Sequence, residues 1–174
     1  MTMTATTTMV RTATISDDGL YRYRLGRYWG PGEVMVWAML NPSTADSEVD
    51  DPTIRRCMGF ARREGYDGIE VINLYALRAT KPKHLLDHPD PEGPENTEHW
   101  TDVLSNHKVG MVVAAWGAHV GMGHLPASHA ADYWRCGASW RCLGATKGGY
   151  PRHPLYVKGD AELQMFRGWR GDDD

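Results

Sequence analysis

The feature that most constrains this chain is an apolar run without alternation, from Val34 to Leu40, which stops at Asn41-Pro42-Ser43. A strand with one face in water alternates apolar and polar residues, so an unbroken run predicts a strand covered on both faces. Asn, Pro and Ser favour turns, and the strand therefore ends in a polar loop. Because ligands of open α/β sheets bind just beyond the carboxyl ends of such strands, this loop is the first candidate for an active site.

Three further segments follow the same design. Residues 68–75, 109–116 and 140–143 are apolar runs that end in polar or glycine-bearing loops. Between the first two strands, residues 52–64 place apolar side chains at helical spacing, with Asp51 as N-cap and Pro52 at the first position. Strand, helix and strand within about 40 residues predict a parallel crossover. The sequence therefore predicts an α/β fold, a three-layer α/β/α sandwich with a mainly parallel central sheet.

The remaining segments are predicted from shorter patterns. Residues 20–29 are close to alternation and predict a strand that pairs antiparallel with the run at 34–40. Helices are predicted near 96–104, 130–135 and 160–166, and a loop over 83–93. The domain boundaries that follow are a disordered Thr-rich tail over 1–18, one α/β domain over 19–168 and an acidic tail over 169–174.

Composition limits the classes of function. No apolar run approaches the roughly 20 residues of a membrane-spanning helix, and the first 14 residues lack the apolar centre of a signal peptide, so we expect a cytoplasmic protein without membrane contact. Three cysteines without a C-x-x-C pair predict reduced thiols. With a net charge of −3, any contact with nucleic acid requires a local cluster of Lys and Arg.

Four blocks carry a family resemblance over about residues 19–166. They are Asn-Pro-Ser-Thr-Ala-Asp at 41–46, Asp-Asp-Pro-Thr-Ile-Arg-Arg-Cys at 50–57, Asn-Leu-Tyr-Ala-Leu-Arg at 73–78 and Arg-His-Pro-Leu-Tyr at 152–156. These blocks resemble the bacterial and phage proteins grouped as domain of unknown function 1643. That resemblance implies no activity.

More distantly, the order of the blocks is similar to the uracil-DNA glycosylase superfamily. There a first strand ends in a Gly-Ile-Asn-Pro-Gly type of loop, a second in Asn before a basic-Pro segment and a third in Gly-x-x-Ala, and a late loop contains His-Pro-Ser. The stretches that match here begin at Met39, Val71, Ala115 and Arg152. The resemblance implies a uracil-DNA glycosylase-like fold and an enzyme that acts on a nucleobase or nucleotide. Such an enzyme needs no metal or other cofactor, and its partner is DNA or a nucleotide.

The resemblance also implies roles for individual residues. Cleavage of an N-glycosidic bond needs a group that positions water and a donor that stabilises charge on the leaving base. By resemblance Asn41 holds the water and His153 donates to the base, while the amide of Asn73 reads the base edge. The other candidates for substrate binding are Pro42, Ser43, Thr44, Asp46, Tyr75, Arg78, Trp116, Lys147, Gly148, Gly149 and Arg152.

The residues leave other interpretations open. Lys147, Gly148, Gly149 and Arg152 suit a phosphate-binding loop or an ordinary surface loop, and Trp116 suits base stacking or core packing. Asp46, Asp50 and Asp51 suit a magnesium site or helix capping. His119, His124 and His129 recur every five residues and do not share a helix face, so no zinc site is predicted. A non-catalytic nucleotide- or DNA-binding module and a metal-dependent base-modifying or phosphoryl-transfer enzyme are the alternatives to a glycosylase.

Overall fold

A single seven-stranded sheet organises the part of the chain that this computed structural model describes, residues 8–81, 83–118 and 140–167. Its strands are β1 Val10–Ile15, β2 Arg22–Tyr28, β3 Val34–Met39, β4 Gly68–Asn73, β5 Val109–Ala114, β6 Trp140–Cys142 and β7 Gln164–Met165. The helices are α1 Pro52–Arg63, α2 Lys83–Asp87 and α3 Asn96–Leu104, with a 3₁₀ turn at Pro154–Tyr156. None of these helices is long and apolar enough to cross a bilayer.

The sheet is mixed, in the order β1-β2-β4-β3-β5-β6-β7. The four central strands β4, β3, β5 and β6 run parallel, whereas β1 and β2 on one side and β7 on the other join antiparallel. Half of the six pairings are therefore antiparallel, which corrects the expectation of a mainly parallel sheet. Parallel strands are usually covered on both faces and are therefore apolar. The parallel pairings here accordingly lie at the centre of the sheet.

The predicted antiparallel pair of residues 20–29 with the run at 34–40 is wrong. β2 instead lies between β1 and β4, and β3 has the parallel strands β4 and β5 on its two sides. β3 is buried along its whole length, so it belongs at the centre of the sheet. The arginine-bearing β2 lies nearer the edge.

Helices pack on both faces of the central strands, and this explains the run without alternation. Met35, Trp37 and Met39 join the cluster that contains the buried residues of α1. Val36 and Ala38 join the cluster that contains Trp100 and the other buried residues of α3. The predicted strand covered on both faces is confirmed.

Helix α1 begins as predicted. The Asp51 carboxylate accepts a hydrogen bond from the Ile54 N–H at 2.9 Å, and Pro52 is the first helical residue. Cys57, in this helix, and Cys142 are buried free thiols, as expected of reduced cysteines, while Cys136 lies outside the described residues.

Three local expectations are corrected. Residues 10–15, within the predicted disordered tail of 1–18, form β1 and pair with β2, because the Val, Thr and Ile residues of this segment favour strands. The predicted loop of 83–93 begins with the short helix α2. The predicted helix of 160–166 is absent, and Gln164–Met165 forms β7 beside β6. The predicted helix at 130–135 and the acidic tail of 169–174 lie outside the described residues.

A buried ion pair fastens the link between β3 and α1 to the sheet. Arg27 is fully buried, and its Nε donates to Asp50 at 2.7 Å. The same guanidinium donates to the carbonyls of Asp46 and Val49, and Asp50 also pairs with Arg11 at 2.9 Å. The loop that follows the predicted active-site turn is therefore held in place by β1 and β2.

This ion pair predicts an acid-sensitive stability. Burial raises the pKa of Asp50, but bonds and charges from Arg27 and Arg11 outweigh it, so the pKa of this carboxyl lies below its usual range. A lowered pKa gives stability that is present above pH about 4 and is lost as the pH falls further. We expect Asp50→Asn to lower the free energy of unfolding by about 3 kcal/mol at pH 7 in urea titrations, because Arg27 loses its counter-charge.

The control is Asp17→Asn, at an exposed position. The deficit of Asp50→Asn should shrink as the pH falls below about 4 and Asp50 takes up its proton, because both proteins then carry a neutral group. A deficit that does not shrink as the pH is lowered, or that is absent at pH 7, would contradict the role of this pair.

Candidate ligand pocket at the carboxyl ends of the central strands

The ends of β3 and β4 lie side by side. Met39 is the register partner of Asn73 in the parallel pairing, and the pairing continues as the Leu74 N–H donates to the Met39 carbonyl at 2.9 Å. The Tyr75 N–H donates in the same way to the Leu40 carbonyl. The turn at Asn41 and the end of β4 therefore emerge at the same edge of the sheet.

A pocket of about 140 Å³ lies at this edge, on the side of the sheet that α1 covers. We call it the edge pocket. Four residues singled out from the sequence line it: Asn41, Ser43, Asn73 and His153. Asp51, weighed from the sequence as a magnesium ligand or a helix cap, also lines it, whereas Arg22, Thr53 and Thr80 were not proposed as site residues. The pocket thus joins residues up to 131 positions apart in the chain.

Asn73 is the most unusual residue of the edge pocket. Its side chain is 1% exposed, and neither its amide oxygen nor its amide nitrogen has a hydrogen-bond partner among the described residues. Its backbone carbonyl, in contrast, accepts from Trp100 Nε1 at 2.8 Å and from Asn96 Nδ2 at 3.0 Å. Since nearly all buried polar groups are bonded, an amide without partners in a pocket points to a ligand.

Asn41 has a fixed orientation. Its Nδ2 donates to the Ala79 carbonyl at 2.7 Å and to the Pro42 carbonyl at 2.9 Å. Both amide hydrogens are therefore used within the protein, and Oδ1 is the group that the side chain offers to a ligand or a water. This oxygen accepts hydrogen bonds and does not donate them.

His153 reaches the edge pocket from the late loop. Its Nδ1 accepts the Leu155 N–H at 3.2 Å, so a neutral ring carries its proton on Nε2 and donates from that atom. Arg56 of α1 holds the loop in place by donating to the carbonyls of Pro154, at 3.1 Å, and Val157. The guanidinium of Arg56 thus crosses from α1 to the late loop.

Arg22 was not identified from the sequence. Its side chain is 3% exposed, and it donates to the Ala45 carbonyl at 2.5 Å. Burial is the largest influence on its pKa and lowers it to about 10. No pattern in the sequence distinguishes Arg22 from Arg24 and Arg27 of the same strand.

A groove of about 320 Å³ lies beside the edge pocket and shares Ser43, Ala79 and Thr80 with it. Two other predicted residues, Thr44 and Arg78, line this groove. Arg78 is half-buried, with one bond to the Gly19 carbonyl at 3.3 Å.

Other predicted site residues line neither the edge pocket nor the groove. Trp116 is buried in the core, edge-on to Phe166, and Tyr75 packs against the same cluster. Base stacking on Trp116 is therefore corrected to core packing. Pro42 is buried and contributes its carbonyl to the Asn41 bond.

The loop of Lys147, Gly148, Gly149 and Arg152 also lies outside the edge pocket. It forms a tight turn: the Gly149 N–H donates to Thr146, the Thr146 N–H donates to Tyr150, and Arg152 bonds to Gly144 and Ala145. The Gly149 and Thr146 amides are used within this turn, which leaves them unsuited to the predicted cradle for a phosphate.

The acidic residues near the pocket have structural roles. Asp46 accepts the N–H groups of Glu48 and Val49, which lower its pKa, Asp50 pairs with Arg27, and Asp51 caps α1. Within residues 8–81, 83–118 and 140–167, no group of three or more His, Cys, Asp or Glu side chains is arranged to hold a metal ion. His119, His124 and His129 lie outside those ranges.

A larger cavity of about 350 Å³ lies at the opposite edge of the sheet, where β3 begins. Its charged residues have partners within the protein: Arg24 pairs with Glu70 at 2.5 Å, the Tyr28 hydroxyl donates to the same carboxylate, and Lys108 donates to the Pro31 carbonyl at 3.2 Å. The edge pocket, with its unpartnered amide, is the better candidate despite its smaller volume.

Fold and pocket together define a mixed α/β protein with a small polar site beyond the ends of its parallel strands. The chain belongs to the family described as protein of unknown function (DUF1643), whose model matches residues 22–155. All lining residues of the edge pocket, from Arg22 to His153, fall within this match. Neither a curated protein nor a solved structure matches the chain.

The tether at Arg56 predicts a local effect on the late loop. Arg56→Met removes the donors to Pro154 and Val157, so we expect the amides of Leu155 and Tyr156 to exchange with deuterium at least tenfold faster, a loss of about 1.4 kcal/mol in local stability. Arg62→Met is the control, since Arg62 lies over the Trp29 ring instead. Unchanged exchange at residues 155–156 would show that Arg56 does not hold His153 in place.

Proposed function

We propose that the edge pocket binds a nucleobase and that the protein hydrolyses the N-glycosidic bond of a modified base in DNA. The observation that carries the proposal is the buried Asn73 amide, which lines the pocket with donor and acceptor both unpartnered among the described residues. The edge of a base presents a donor beside an acceptor, and a side-chain amide complements that pair.

The size of the pocket supports a base rather than a whole nucleotide. Its volume of about 140 Å³ is below the roughly 300–1,000 Å³ of sites that enclose a drug-sized ligand, so it suits a single ring. The adjoining groove, with Arg78 in its wall, suits the sugar and phosphate. A base in duplex DNA would enter by rotating out of the stack, at a cost of a few kcal/mol that damaged or modified bases reduce.

The chemistry follows from the positions of Asn41 and His153. The Oδ1 atom of Asn41 accepts a hydrogen bond from a water molecule. This bond orients the oxygen of the water towards the sugar carbon C1′. As the bond between that oxygen and C1′ forms, the bond from C1′ to the base nitrogen breaks and its electron pair leaves with the base. The proton on Nε2 of His153 stabilises the charge on a base oxygen, and the water's surplus proton passes to solvent.

The fold belongs to the same proposal. We propose a three-layer α/β/α sandwich of the uracil-DNA glycosylase-like kind, supported by apolar clusters on both faces of the sheet. From β3 the chain first adds β4 on one side and later adds β5 on the other side. Open α/β sheets bind ligands where the direction of strand addition reverses in this way, and Asn41 lies just beyond the end of β3.

A non-catalytic nucleotide-binding module is the second candidate. This candidate is favoured because polar groups that could act on a water are already bonded within the protein. Both amide hydrogens of Asn41 are donated to protein carbonyls, and the Asp51 carboxylate caps α1. These bonds do not prevent either residue from contacting a base. A metal-dependent enzyme has less support, since Asp46, Asp50 and Asp51 each have a structural partner.

Activity is tested with oligonucleotides that carry uracil or modified bases, heated in alkali to cleave abasic sites. We expect cleavage with at least one base, and a fall in rate of about 10²–10³ for Asn41→Ala and for His153→Ala. Asn106→Ala and His107→Ala are matched controls at exposed positions and should retain the full rate. Binding of a base without cleavage of any substrate would favour the module, and full activity of either pocket variant would contradict its role.

Asn73→Leu separates ligand recognition from stability. The substitution removes an amide that has no partner in the part of the chain that the structure describes, so we expect base binding to weaken at least tenfold while the free energy of unfolding rises by about 1–2 kcal/mol. Asn96→Leu is the contrasting variant, because that amide donates to the carbonyls of Asn73 and Leu74 and its loss should destabilise the protein. A destabilised Asn73→Leu protein with intact binding would contradict the proposal.

A further inference from the structure

Arg22 carries a buried positive charge that forms no ion pair among the described residues. Its Nε has no hydrogen-bond partner among the described residues, and none of the carboxylates described lies within ion-pair distance of its guanidinium. A buried cation without a counter-ion costs several kcal/mol unless something pairs with it. Arg22 lines the edge pocket, so a bound group can supply that pairing.

Arg27, five residues along the same strand, provides an internal comparison. It is equally buried, yet its Nε donates to Asp50 at 2.7 Å and its other nitrogens donate to backbone carbonyls. Arg22 has one carbonyl bond, to Ala45. Arg27 thus has a carboxylate at ion-pair distance, whereas Arg22 has none among the described residues.

Two other donors face the same space. The Asn73 amide is buried and unpartnered, and the first turn of the twelve-residue helix α1 contributes Thr53 to the pocket wall. The amino end of a helix carries partial positive charge, which favours an anion. Asp51, whose Oδ1 accepts the Ile54 N–H, also lines the pocket, and its negative charge opposes this effect and acts on Arg22 from beyond ion-pair distance.

We propose that Arg22 binds a negatively charged oxygen group of the ligand, a carboxylate on the base or a phosphate, in the edge pocket. The inference rests on the proposed nucleobase site and narrows its substrate class to ligands that carry such an anionic group. The planar guanidinium favours carboxylate and phosphate because two of its N–H groups pair with two oxygens at once. Unmodified neutral bases, which lack such a group, leave Arg22 unpaired and bind weakly.

Calorimetric titration of the full chain tests this with three probes: orotate, which is a pyrimidine with a ring carboxylate, uracil, which is the same ring without it, and inorganic phosphate. We expect orotate to bind at least tenfold more tightly than uracil, and Arg22→Gln to abolish that preference. Lys108→Gln removes the same charge at an exposed position on the opposite edge and should keep the preference. Binding of phosphate that depends on Arg22, without a preference for orotate, supports the proposal and assigns the anion to a phosphate.

The proposal is overturned if orotate binds no better than uracil and phosphate does not bind, or if the preference persists in Arg22→Gln. Should that variant not fold, the side-chain Nε–H resonance of Arg22 in the unaltered protein decides: it should shift with orotate or phosphate and not with uracil, and no shift with any anion overturns the proposal. Uracil binding that Asn73→Leu abolishes would leave the nucleobase site standing without the anion. Phosphate binding without either pyrimidine would leave the anion site standing without the nucleobase.

Discussion

The site depends first on the parallel pairing of β3 with β4, in a register that ends both strands together. Because Met39 lies beside Asn73, the chain turns out of the sheet twice at neighbouring points. Two backbone bonds beyond the strands, to the carbonyls of Met39 and Leu40, keep the segments together as they leave. A shift of one residue would turn Asn73 to the opposite face of the sheet, away from α1 and the edge pocket.

Around this register, two of the buried polar side chains without full hydrogen bonding among the described residues, Asn73 and Arg22, line the same pocket. Asn96 and Arg27 are buried as deeply, and their bonds hold the end of β4 and the link after β3. Stability alone does not favour unbonded groups, since each costs free energy when left unpaired. The contrast between residues of the same type is the physical reason to assign binding to this pocket.

Much of the fold centre was predictable because burial on both faces leaves a local mark. The unbroken runs predicted β3, β4 and β5, and the N-cap at Asp51 predicted α1. The loops that follow parallel strands must share an edge, so the proximity of Asn41, Asn73 and His153 was also within reach. Their chemical roles stay predictions.

The rest depends on contacts between distant segments, which leave weak local marks. The antiparallel flanks of the sheet are set by long-range pairing, so β1 was taken for a tail. Nothing in the sequence shows that Arg56 crosses to the late loop or that Arg22 is buried beside the edge pocket. Trp116 was open to either interpretation until its core neighbours were known.

The most direct measurement is a crystal structure of the protein with a nucleobase or nucleoside bound. The account predicts that the base lies in the edge pocket. One donor atom of its edge should lie within about 3.2 Å of Asn73 Oδ1, and one acceptor atom within about 3.2 Å of Asn73 Nδ2. A base bound at the opposite edge of the sheet, or an Asn73 amide whose two groups are bonded to residues of the protein itself, would contradict it.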